Sequence, residues 1–113
     1  MKPPQYEEMD KGRQKAIPEA FERFAAPLGK YHLVTIPPVK HPQGWCGPIP
    51  RPVFEVRDMG GNELVAEFYC NGNYNLYQDD FRPIYDQMVP MIEEAGQRAY
   101  LHFLEEYERR RQA

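Results

Sequence analysis

Metal-ligating and nucleophilic side chains are scarce in this chain of 113 residues, which has only two cysteines and three histidines. No pair among Cys46, Cys70, His32, His41 and His102 shows the C-x-x-C or H-x3-H spacing of a structural zinc site, so neither metal nor cofactor is expected. Long apolar runs are missing too. Nothing approaches the roughly 18–20 residues needed to span a bilayer. The first ten residues, Met1 to Asp10, are polar and acidic and lack the apolar stretch of a secretion signal. The expectation is a cytoplasmic protein with reduced thiols. Positive charge is in deficit, with 14 Lys and Arg against 17 Asp and Glu and a net charge of −3. Affinity for nucleic acid comes mostly from neutralising phosphates, so a nucleic-acid partner is not expected. The deficit is nevertheless mild, and 42% of residues are hydrophobic. That composition excludes a disordered chain and suits one globular α+β domain over residues 1–113.

What the chain has in abundance is proline and tyrosine. Half of its 12 prolines crowd between Pro37 and Pro52. Each removes a backbone donor and fixes φ, so residues 37–52 read as a stiff surface loop. Trp45, the only tryptophan, sits inside that loop beside Cys46. Ahead of it, Ile17, Phe21, Phe24 and Leu28 recur at helical spacing. Pro18 suits a first turn, Gly12 interrupts what precedes it, and Pro27 with Gly29 marks the stop. Lys30 to Ile36 reads as a strand. Val53–Asp58 and Asn62–Cys70 alternate apolar with polar residues about a glycine-containing turn, which predicts a hairpin. In the second of these, Leu64, Ala66 and Phe68 alternate with Val65, Glu67 and Tyr69. Residues 79–111 read as helical, capped by Asp79 or Asp80 and divided into two helices by Pro90. The predicted fold is therefore an N-terminal helix, a three-stranded antiparallel sheet, and two C-terminal helices packed on one face.

Several residue groups invite a chemical role. Cys46 lies between Trp45 and Gly47, five residues after His41, an arrangement a cysteine nucleophile could use. Such nucleophiles normally sit at a helix N-terminus, and no helix can begin among these prolines. Asp79 and Asp80 lie close to Tyr74 and Tyr77, as paired carboxylates do in some sugar or nucleotide sites. Capping a helix is the simpler role for them. The order helix, three strands, helix is similar to that of double-stranded-RNA-binding domains. The segment that would open the last helix is Tyr77-Gln78-Asp79-Asp80-Phe81, however, and it is acidic where phosphate binding needs lysine.

The tyrosines carry the strongest signal. Tyr69, Tyr74 and Tyr77 cluster around the end of the third strand, and with Trp45 they form a candidate protein-binding set. Tyr100, Leu101, Leu104 and Tyr107 spread around more than one face of the last helix, a pattern that suits a homodimer interface. The function expected from the sequence is a non-enzymatic protein-binding module, regulatory or inhibitory in role. Inhibitors of bacterial defence systems carried by phages and mobile elements are proteins of this general type. The alternative is a small enzyme or ligand-binding domain using Cys46 with His41, or Asp79 with Asp80.

Overall fold

The computed structural model describes residues 4–37 and 53–112. The proline-rich segment 38–52, with His41, Trp45 and Cys46, lies outside the described residues. In chain order the elements are α1 (Pro4–Phe24), a 3-10 turn (Ala26–Leu28), β1 (Tyr31–Thr35), β2 (Phe54–Asp58), β3 (Leu64–Phe68) and β4 (Asn75–Leu76). A second 3-10 turn (Asp79–Phe81) then leads into α2 (Arg82–Gln112). The four strands form an antiparallel meander in the order β1-β2-β3-β4. The α+β class is as expected, with two differences. The sheet has a fourth strand, and the C-terminal region is one helix of 31 residues rather than two.

Both differences have a physical cause. β4 is two residues long, too short to show a period, and it exists because Asn75 pairs with Glu67 and Leu76 with Ala66. Pro90 lies inside α2 without ending it. An interior proline costs about 3 kcal/mol. Splitting the helix there would break the row Ile84, Met88, Ile92, Gly96, which is buried at every fourth position. Loss of one hydrogen bond is the smaller cost. The same reasoning applies to α1, which continues through both Gly12 and Pro18. It stops where expected: Pro27 lies in the 3-10 turn, and Gly29 at φ 67 closes that turn by donating its N–H to the Ala26 carbonyl at 3.1 Å.

Gly12 proves to be a packing requirement. A Cβ placed there would lie 2.7 Å from the Ala95 carbonyl oxygen and 2.8 Å from the Ala99 Cβ. Across the same crossing, a Cβ on Gly96 would lie 3.0 Å from the Arg13 Cγ and 3.3 Å from the Met9 carbonyl oxygen. Small residues on both helices therefore let α1 and α2 approach backbone to backbone.

One apolar cluster joins Ile17, Ala20 and Phe21 of α1, Phe54, Val56, Ala66 and Phe68 of the sheet, and Ile84, Met88 and Ile92 of α2. Both helices thus lie on the same side of the sheet. Full burial of a side chain such as Phe68 or Ile17 contributes about 1.5–3 kcal/mol. Register at the sheet centre departs from simple alternation. Val56 pairs with Ala66 and Arg57 with Leu64, which leaves Val65 as the extra residue of a bulge. Val65 and Ala66 are consequently both buried, and Leu64, which simple alternation would place on the same face as Ala66, is only half-buried. In the β2–β3 turn the left-handed residue is Asn62 at φ 57, not a glycine. Asp58 Oδ1 holds that turn by accepting the Gly61 N–H at 2.6 Å. Among the described residues, no helix is long and apolar enough to cross a membrane.

Candidate functional site on the second face of the sheet

With the helices on one side, the strands present a second face whose composition follows from their alternation. Residues that alternate with the core-facing Tyr31, Leu33, Phe54, Val56, Ala66 and Phe68 point the other way: His32 and Val34 on β1, Glu55 and Arg57 on β2, and Glu67 on β3. Register then sets them in rows. Val34 pairs with Glu55, Glu55 with Glu67, and Glu67 with Asn75, so one row crosses all four strands with two glutamates at its centre. Like charges directly opposite each other are destabilising. The neighbours compensate. Arg57 donates its Nε–H to Glu55 Oε1 at 3.2 Å. Glu67 Oε1 accepts the Tyr77 hydroxyl and the Asn75 amide, the latter at 3.3 Å. Arg57 also donates from Nη1 to the Asn62 carbonyl at 2.9 Å, and the His32 ring nitrogen Nε2 bonds Asn62 Oδ1 at 2.9 Å. The hairpin turn and the charged row are thereby tied together.

Tyr77 stands at the edge of this face with 54% of its surface exposed. Its hydrogen bond to Glu67 pushes its phenol above the ordinary tyrosine value, with desolvation adding to the shift. Tyr69 is half-buried and is also shifted upward, by burial first and by the Glu67 charge second. Two phenols therefore flank one carboxylate and remain protonated donors at neutral pH. Such a surface can offer hydroxyl donors, carboxylate acceptors and aromatic area to an incoming molecule. Among the described residues, no group of three or more His, Cys, Asp or Glu side chains is placed to hold a metal ion.

Tyr74 belongs to a different part of the molecule. Its ring packs on Phe68 at 5.4 Å, and its hydroxyl donates to Glu93 Oε1 at 2.6 Å. Burial first, and that bond second, drive its phenol well above the ordinary range. Glu93 also accepts from Arg13 Nε at 3.2 Å, while Arg13 Nη1 reaches Asp10 Oδ1 at 3.2 Å and the Cys70 carbonyl at 3.4 Å. This network joins α1, α2 and the β3–β4 connection. Sequence reasoning missed it, because Arg13 and Glu93 are 80 residues apart.

The aspartates also take up a definite place. Asp79 and Asp80 form the first residues of the 3-10 turn, whose N-cap is Gln78 and has no side-chain cap bond. Their expected capping role is thus replaced by residence within the turn. Asp79 lies almost wholly in solvent, 3.8 Å from Arg82. Asp80 lines a surface cleft of about 430 Å³ with Lys30, Asp58 and Gln78 above Tyr31 and Ile84. Comparison with protein-family models, curated proteins and solved structures finds no match. The site must therefore be read from its own chemistry.

The remaining candidates fall on the distal turns of α2. Leu101 and Tyr107 are about half exposed, and Tyr100 and Leu104 are partly covered. Phe103 and Tyr107 stack at 6.3 Å. The structure thus separates the tyrosines that looked like one cluster: Tyr69 and Tyr77 with Glu67 on the second face, and Tyr74 on the helix side.

Proposed function

We propose that this chain is a non-enzymatic protein-binding module, regulatory or inhibitory in role, and that its contact surface is the second face of the sheet around Glu67, Tyr69 and Tyr77. The observation that supports this reading is the state of Tyr77. Its ring is more than half exposed, yet its hydroxyl is held by Glu67. An exposed aromatic with a fixed rotamer offers contact area at low entropic cost on binding. The Glu67 carboxylate beside it, unlike Glu55, has no cation bonded to it among the described residues and favours a partner carrying Arg or Lys, since complementary charge sets register and speeds encounter.

The test is affinity capture from native lysate with the full chain, repeated with Tyr77→Ala and with Asp80→Asn. Tyr77→Ala is expected to lower recovery of the specific partner at least about tenfold, as loss of an interface anchor does. The variant also removes the hydroxyl that Glu67 accepts, so circular dichroism and thermal unfolding verify that it remains folded. Recovery unchanged by Tyr77→Ala would remove this face from consideration.

A second reading places a small-molecule site in the cleft at Asp80, favoured by the convergence there of Lys30, Asp58 and Gln78 over an apolar floor. Under that reading Asp80→Asn, and not Tyr77→Ala, would abolish binding.

A further inference from the structure

The last turns of α2 carry a pattern that stands apart from the sheet surface and does not rest on the reading above. Gly12 of α1 packs against Ala95 and Ala99. At 100° per residue, Leu101 lies about 160° round the helix from Ala99. Leu101 and Leu104 therefore fall on the side of α2 turned away from α1, and Leu101 is 53% exposed. Continued in heptads, this side runs Glu94, Gln97, Leu101, Leu104, Glu108, Arg111. The apolar pair sits at its centre, an acid at one end and a base at the other.

That order is self-complementary when reversed. We propose that two copies of this chain pair along the outer face of α2, antiparallel about a two-fold axis between Leu101 and Leu104. In this register Leu101 meets Leu104 of the second copy, and Glu94 meets Arg111 of the second copy. Gln97 lies opposite Glu108, and the flanking Arg98 faces Glu105 of the second copy. Every charge in the strip meets its opposite or an amide, and the two-fold axis makes each pairing twice. A parallel pairing would instead set Glu94 against Glu94 and Arg111 against Arg111. Arg98 and Glu94 are largely exposed, with side-chain accessibilities of 76% and 62%, and bond each other within the helix; Arg98 flanks the strip and also borders the groove between α1 and α2. From Glu94 to Arg111 the contact is about 26 Å long. Such a strip is short for a specific interface, so association is sought from about 1 μM to about 1 mM, where weak pairing shows.

The experiment is sedimentation equilibrium of the purified full chain across that concentration range, with Arg98→Glu, Glu105→Arg and the double variant. The wild type is expected to pass from monomer to dimer. Each single reversal sets like charges against each other twice and should weaken association about fivefold to tenfold. The double variant restores opposite charges and should recover wild-type association. Both changed residues are exposed, and circular dichroism verifies that each variant is folded. A wild-type chain that stays monomeric throughout overturns the proposal. Association that ignores the single reversals places the interface elsewhere. Singles that weaken it without rescue by the double variant exclude the antiparallel register.

Discussion

Tyr74 shows how one hydroxyl can connect three elements. It donates to Glu93, which also accepts from Arg13, and so α1, α2 and the β3–β4 connection meet at one carboxylate. Tyr74→Phe deletes that donor without emptying the ring site. It should lower the unfolding free energy by about 1 kcal/mol, measured by urea denaturation. The bond also predicts a pH dependence. The folded-state pKa of Tyr74 is raised above the ordinary tyrosine value of about 10. Below that value the phenol is protonated in both states and its contribution is fully present. Above it, the unfolded chain loses the proton while the folded chain keeps it, so stability falls as pH rises. The decline from about pH 9 to about pH 11 should be shallower in Tyr74→Phe than in the wild type. An equal slope in the two proteins would show that Tyr74 is not the group responsible.

The helices illustrate a conflict between local preference and packing. Glycine inside a helix costs about 1 kcal/mol relative to alanine, so Gly12→Ala would stabilise an isolated α1. Here the new methyl group meets the Ala95 carbonyl oxygen and the Ala99 methyl, neither of which is a flexible chain end. The substitution should therefore destabilise the protein, by about 1–3 kcal/mol. Pro90→Ala should do the opposite. Pro90 is exposed and interrupts a helix that is otherwise continuous. Restoring its N–H should raise stability by about 1–3 kcal/mol. Thermal unfolding of the two variants should move in opposite directions from the wild type.

At the scale of the whole molecule, the helices and sheet share one core. α2 alone spans about 46 Å at 1.5 Å per residue, most of the 55 Å long axis, and its first half seals that core. Phe81 shows the dependence on this seal. It lies just ahead of α2, is fully buried, and meets the Tyr31 ring edge-on at 4.9 Å. Phe81→Ala should cost about 3–5 kcal/mol, a large part of a typical domain's stability of about 5–15 kcal/mol. Because both layers depend on the same cluster, helix content and tyrosine fluorescence should be lost together, in a single transition at lower urea. Separate transitions would show that the helix pair and the sheet fold as distinct units.

The sequence by itself determined the class of fold, the β2–β3 hairpin and the end of α1. Each is written in a local period or in one glycine or proline whose effect is felt within a turn. It also marked Tyr77 and the distal residues of α2 as aromatic or apolar groups without an obvious place to bury. Tertiary structure decided the rest. Gly12 looked like a break because its partners Ala95 and Ala99 are more than eighty residues away. Leu64 and Val65 exchanged roles through a bulge that only strand pairing creates. β4 exists by virtue of its neighbour, and Tyr74 parted from Tyr77 when the chain turned between them. The division follows the range of the forces: steric and hydrogen-bonding preferences act along a few residues and are legible in order, whereas close packing and cross-strand charge depend on which distant residues the fold brings together.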